Sequence, residues 1–127
     1  MPRFVILHHE MPPHVERPSH WDLMLEDEGA LLTWAMDCEL AVDVAVSADQ
    51  LPNHRIDYLT YEGPISGDRG AVTQWDRGVF EWITRSEEEL LVQLNGTRIQ
   101  GTATLRRKGN MEDVDAPQLW SVSLRKI

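Results

Sequence analysis

Turn-forming residues punctuate this chain about every 8–12 residues, and the runs between them alternate apolar with polar positions. That spacing is too short for helices stacked in a bundle, and helical periodicity is weak throughout. The runs are "RFVILHH" (3–9), "HWDLMLE" (20–26), "ALLTWAM" (30–36), "DYLTYEG" (57–63), "GAVTQWD" (70–76), "GVFEWIT" (78–84), "ELLVQLNG" (89–96), "RIQGTATLRR" (98–107) and "LWSVSLRK" (119–126). Each reads as a strand. Together they point to an all-β sandwich or barrel. Glu28-Gly29 suits a tight turn, so the second and third runs read as a hairpin. Asp76-Arg77-Gly78 reads as a second hairpin turn. Short helices are expected at Ser47–Leu51, capped by Ser47, and at "SEEEL" (86–90). Two loops stand out, the proline-punctuated "MPPHVERPS" (11–19) and the acidic "KGNMEDVDAPQ" (108–118).

Composition narrows the function classes. A chain of 127 residues with 42% hydrophobic content has the size of one domain, expected to span 1–127. The net charge of −9 argues against broad electrostatic binding to nucleic acid, which needs basic surface. The only dense basic patch is "TLRRKG" (104–109). Cys38 is the single cysteine, which excludes an internal disulfide framework and fits a reducing compartment, so the expected location is the cytoplasm. No apolar stretch has the length of a membrane span, so no membrane partner is expected. The opening residues look like a first strand and are too short for a signal peptide.

The histidines carry the candidate chemistry. There are five, His8, His9, His14, His20 and His54, and four fall within the first twenty residues. In a strand, side chains alternate faces. His20, Asp22 and Met24 then share one face of "HWDLMLE", and Trp21, Leu23 and Leu25 form the core face. Adjacent His8 and His9 point opposite ways, so one of them at most readily joins His20 and Asp22. A His/His/Asp set suits Zn²⁺ or Mn²⁺ with positions left for water or substrate. Surface histidines on a polar strand face fit the same spacing, because His-x-Asp is a weak motif. In "HRIDYLTYEG", His54 and Tyr58 lie four residues apart. His54 is a candidate general acid or phosphate ligand and Tyr58 a hydrogen-bond donor. A loop histidine after "LPN" beside an ordinary strand aromatic is the simpler account of these two residues taken alone.

Taken in order, "FVILHHE", "HWDLMLEDEGALLTWA" and "HRIDYLTYEGPISGDRGAVTQWDRGVFEW" resemble the 3′-phosphoesterase domain of bacterial DNA ligase D. The family pattern runs from a strand ending in His, through His-Tyr-Asp-x-Arg-Leu-Glu and Gly-x-Leu-x-Ser-Trp-Ala, to His-x-x-x-Tyr, (Phe/Tyr)-Glu-Gly and Trp-Asp-x-Gly. The match covers roughly residues 3–82. It implies a compact antiparallel β-barrel with one or two short helices. It also implies a metal-dependent phosphoesterase with Mn²⁺, or alternatively Zn²⁺, held by His9, His20 and Asp22. His54 would be the catalytic phosphate-contacting histidine and Tyr58 its partner. The implied partners are 3′ ends of DNA or RNA, or another phosphate ester, together with DNA-repair proteins.

One ligand has a competitor within the chain. His14 lies six residues before His20, the usual family spacing, whereas His9 lies eleven before it. His9 is preferred because "FVILHH" aligns as the strand and the proline-rich loop looks like an insertion. The departures concern cations. The family's strand arginine is Met24 here, and its lysine after Trp-Ala is replaced by Asp37 and Cys38. No arginine precedes His54 in "AVSADQLPN". The resemblance therefore implies weak or altered activity, or a non-catalytic metal- or end-binding accessory module. Arg55, Arg69 or Arg77 could substitute, but the sequence does not say which.

Overall fold

The computed structural model of this protein describes residues 1–15, 18–67, 69–108 and 119–126. Its strands are β1 (Arg3–Glu10), β2 (His20–Asp27), β3 (Ala30–Met36), β4 (Val46–Arg55), β5 (Gly63–Pro64), β6 (Ala71–Arg85), β7 (Glu89–Gly96), β8 (Gln100–Arg107) and β9 (Leu119–Lys126). They hydrogen-bond in the order β1-β2-β3-β4-β9-β8-β7-β6, and β1 pairs with β6 to close the sheet into an eight-stranded antiparallel barrel. Closure removes the exposed edges that an open sheet would have to protect. The two-residue β5 pairs with the start of β6.

Period-two alternation fills the barrel. Phe4 and Ile6 of β1, Leu23 and Leu25 of β2, Trp34 of β3 and Phe80 of β6 belong to one buried cluster. Removing side chains of this size from water stabilises the fold by about 1.5–3 kcal/mol each. The alternate residues of β1, β2 and β3 face outward. There Val5, Leu7, Met24, Leu31, Leu59 and Val72 form a second buried cluster, with Ile56, Tyr58 and Ile65 packed on it. This outer cluster is the floor of the candidate site.

The barrel, the strands of the first hairpin and the Glu28-Gly29 turn agree with the sequence. Glu28 and Gly29 take φ of 50° and 82°, the left-handed pair a two-residue hairpin turn needs. Other local expectations fail for identifiable reasons. Asp76-Arg77-Gly78 is no turn, because β6 runs straight through it. Ile6 and Leu7 of β1 face Asp76 and Gln74, so Trp75 is an extra residue, a β-bulge that bends the strand. Asp76 spends its carboxylate on another element, accepting the backbone N–H groups of Thr97, Arg98 and Ile99 at 2.7–3.0 Å. Gly78 serves a close approach, since a Cβ there would lie 2.0 Å from the Asn95 carbonyl oxygen.

Ser47–Leu51 is strand, not helix. Val46 and Ala48 are buried while Ser47 and Asp49 are exposed, and the segment pairs with both β3 and β9. The short helix lies just beyond, a 3₁₀ turn at Ile56–Leu59, which overlaps the start of the stretch that reads as an alternating strand "DYLTYEG". Burial of Leu59 in the outer cluster sets it there, and the Gln74 amide donates to its carbonyl at 2.9 Å. "SEEEL" forms the β6–β7 turn, with the Glu89 N–H donating to Ser86 Oγ at 3.1 Å. Of the two loops, residues 16, 17 and 109–118 lie outside the described residues. Among the described residues no helix is long and apolar enough to cross a membrane.

Candidate functional site

The register of β1 and β2 builds the site. His9 lies directly opposite His20, and Leu7 opposite Asp22. All four point outward, on the face away from the barrel core. His8 goes the other way and stacks on Trp21, with ring centroids 4.6 Å apart and planes 8° from parallel. His20 and Asp22 are only 6% and 3% exposed, so each must meet its polar needs within the protein.

His9, His20 and Asp22 each offer a ligand atom within 4.8 Å of the others. His9 Nδ1 lies 3.5 Å from Asp22 Oδ2, and His20 Nε2 lies 3.1 Å from Asp22 Oδ1. The far nitrogens are committed. His9 Nε2 meets the Arg69 carbonyl oxygen at 2.6 Å, and His20 Nδ1 meets the Pro18 carbonyl oxygen at 3.2 Å. A carbonyl only accepts, so both of these nitrogens carry the proton. In neutral rings the lone pairs then face a carboxylate, an arrangement that calls for a cation between them. The other solution is an imidazolium with both N–H groups engaged.

Burial pushes the Asp22 carboxyl up, but hydrogen bonds and positive charge from His20 and His9 outweigh it and hold the group at about 2. The carboxylate is therefore ionised, as a metal ligand must be. Two imidazoles anchored through their outer N–H groups, with one carboxylate, are the donor set of a borderline divalent cation. On these grounds the residues fit a Mn²⁺ or Zn²⁺ ion.

His54 reaches the same cavity from the end of β4, and Tyr58 from the 3₁₀ turn that follows it. Leu31 pairs with His54 and Thr33 with Leu51, so β4 carries one residue more than β3 between these points. Pro52, which has no N–H to give a ladder, sits in that bulge. Its carbonyl accepts from His54 Nδ1 at 2.9 Å, which leaves Nε2 as the nitrogen able to exchange a proton. The His54 and Tyr58 rings meet edge to face with centroids 5.6 Å apart. A cavity of about 320 Å³ is lined by His9, His20, Asp22, His54 and Tyr58, over Leu7, Met24, Ile65 and Val72. The structure thus brings the five sequence-nominated residues to one cavity. His14 is exposed in the turn at 13–15 and does not line it.

Residues 12–107 match the family described as the DNA Ligase D 3′-phosphoesterase domain. This chain belongs to that family. It is 36% identical over 113 residues to the multifunctional non-homologous end joining DNA repair protein LigD of Mycobacterium tuberculosis, covering 82% of this chain and 14% of that protein. The LigD of Pseudomonas aeruginosa is 32% identical over 106 residues, 76% of this chain and 13% of that protein. The chain therefore spans about one seventh of the length of these relatives. The family match contains His14, His20, Asp22, His54 and Tyr58 and begins after His9. It is the geometry that groups His9 with the other two.

The departures also have places. Met24, where the resemblance implies an arginine, is 1% exposed and buried in the outer cluster. Asp37 and Cys38 are exposed beyond the end of β3. Of the three arginines left open by the sequence, Arg55 and Arg77 are exposed and line no part of the cavity. Arg69 lines it. Sequence reasoning also missed the carbonyls of Pro18 and Arg69. Backbone acceptors leave no residue-type signal, although a proline and a glycine-flanked turn at those points mark fixed backbone.

Proposed function

We propose that this chain is a divalent-metal-dependent phosphoesterase-like module that removes phosphate from 3′ ends of nucleic acid. The observation that carries the reading is the buried His9–His20–Asp22 group opening into the same cavity as His54 and Tyr58. In this reading His9, His20 and Asp22 hold the ion, Mn²⁺ first and Zn²⁺ second, and the Arg69 and Pro18 carbonyls fix the two rings. A bound divalent ion supplies Lewis acidity toward a phosphoryl oxygen and toward water. Water adds to phosphorus as the P–O3′ bond breaks; His54, anchored through Nδ1 and acting as the imidazolium, gives its Nε2 proton to the departing 3′ oxygen and regains one from the water oxygen now on the released phosphate. Tyr58 donates its hydroxyl hydrogen to a phosphoryl oxygen. The floor of Leu7, Met24, Ile65 and Val72 keeps that face of the phosphate out of bulk water, where hydrogen bonds to an anion count for more. DNA-repair proteins are the partners this reading suggests, because the relatives are end-joining proteins.

The test uses a 3′-phosphorylated primer–template resolved on a gel, with Mn²⁺, with Zn²⁺ and with chelator, alongside calorimetric metal titration. Metal-dependent dephosphorylation is expected, lost in His54→Ala, and lost together with metal binding in His20→Ala. Metal binding without turnover would refute the hydrolase and leave an accessory end-binding module.

A further inference from the structure

The cavity has histidines for a metal, but an anionic substrate needs a fixed cation as well, above all on a chain of net charge −9. The strand position implied for that cation is Met24, sealed in apolar packing. Among the described residues, Arg69 is the single lysine or arginine lining the cavity. It arrives from a different element, the loop between β5 and β6.

That loop is fixed by its backbone. Gly67 and Gly70 take φ of +77° and +81°, the left-handed region that glycine enters without strain. A Cβ at Gly70 would lie 1.9 Å from the Glu10 carbonyl oxygen, so the loop is pressed against the end of β1. One residue earlier the Arg69 carbonyl accepts from His9 Nε2. One residue thus does two things: its carbonyl orients a candidate metal ligand, and the residue itself lines the cavity that ligand faces. Arg69 Nε donates to the Ser66 carbonyl at 2.7 Å and Nη2 to Ser66 Oγ at 3.3 Å. These contacts orient the planar group. They use two of its five N–H donors, and the rest are enough for two-point contact with a phosphoryl group.

We infer that Arg69 is the phosphate-binding residue of this site, a cation moved from the barrel strand to the β5–β6 loop, and that it selects a phosphate monoester or other tetrahedral oxyanion. The inference rests on the phosphoesterase reading for its substrate but not for its anion. It predicts that phosphate affinity and metal affinity respond separately to changes at this one residue. Arg69→Ala removes the guanidinium and keeps the carbonyl that holds His9.

The test is calorimetric titration of inorganic phosphate into the Mn²⁺-loaded chain, beside Mn²⁺ titration of the same variants. Arg69→Ala should weaken phosphate binding roughly 10- to 100-fold, the size of a lost charge-assisted contact, while Mn²⁺ affinity stays within about 3-fold. Arg69→Lys should fall between the two. Arg77→Ala makes the same change in net charge outside the cavity and should leave phosphate affinity within about 3-fold. Met24→Arg introduced into Arg69→Ala should recover part of the loss. Circular dichroism excludes unfolding as the cause. If Arg69→Ala and Arg77→Ala weaken phosphate equally, or if neither does, or if the loaded wild type binds no phosphate, the inference is overturned. Turnover separates the two claims. A wild type that hydrolyses 3′-phosphate at the same KM as Arg69→Ala refutes Arg69 and keeps the enzyme. A wild type without turnover whose phosphate binding needs Arg69 keeps the anion site and refutes the enzyme.

Discussion

Asp76→Asn is the sharpest structural test of how this barrel is held. Asp76 is 4% exposed, and its two oxygens accept four backbone N–H groups: Oδ1 takes Arg77 at 2.8 Å, Thr97 at 2.9 Å and Arg98 at 3.0 Å, and Oδ2 takes Ile99 at 2.7 Å. One buried carboxylate therefore closes the β7–β8 turn onto β6. Asparagine is nearly the same size but can present only one oxygen. With that oxygen toward Thr97 and Arg98, its amide N–H₂ faces the Ile99 N–H, two donors in a buried place. A stranded buried donor costs about 1–3 kcal/mol, and the remaining bonds lose their charge assistance. A total loss of roughly 3 kcal/mol is expected. For a chain of 127 residues the unfolding entropy is about 0.27 kcal/mol/K, so Tm should fall by about 11 °C. Urea unfolding followed by tryptophan fluorescence measures the free energy, and calorimetry the Tm. Asp49→Asn, an exposed aspartate on β4, is the control and should stay within about 0.5 kcal/mol. A loss below about 1 kcal/mol at Asp76, or equal losses at both sites, would refute the reasoning.

Two further outcomes follow from the cavity. Met24→Arg puts a guanidinium stem where methionine fills the outer cluster, so stability should fall by about 1–3 kcal/mol while the 3′-phosphatase rate per folded molecule rises; an unchanged urea midpoint or an unchanged rate contradicts it. For Asp22, the folded carboxyl is held at about 2, below its ordinary 3.8, so its contribution is present above pH 4 and is lost as pH falls through about 2. In chelator, Asp22→Asn should therefore cost roughly 2 kcal/mol at neutral pH, and the gap to wild type should close on acidification; a gap that does not narrow by pH 2.5 argues against the pairing.

The part of the fold that the sequence announces is the part governed by side-chain period. "HWDLMLE" alternates without interruption, and its two faces are the ones observed: His20, Asp22 and Met24 outward, Leu23 and Leu25 in the barrel core. "ALLTWAM" is β3 from end to end. Errors gather where the backbone departs from a regular strand. Asp76-Arg77-Gly78 has turn composition, yet the aspartate serves a neighbouring turn and the glycine a neighbouring strand, two contacts distant in sequence. Ser47 has the composition of a helix cap, yet the pairing of β4 with β9, more than seventy residues on, overrides local preference. Propensity speaks for nearest neighbours, and in a closed barrel the deciding neighbours are elsewhere in the chain.

The candidate site divides along the same line. His20 and Asp22 lie on one strand face, so their grouping follows from spacing alone. His9 joins them through a register that pairs it with His20, eleven residues on in the chain. His54 needs more, because a bulge at Pro52 has to shift β4 by one residue before its ring reaches the cavity. Arg69 needs most of all: two left-handed glycines and a contact with the end of β1 set its place, and none of these has a period. In the proposed reading, β2 closes the Met24 position with apolar packing and keeps the candidate metal ligands, while the β5–β6 loop, whose Arg69 carbonyl meets His9, supplies the substrate contact. Rigidity then belongs to the strand and reach to the loop, and Arg69→Ala addresses the second without changing the first.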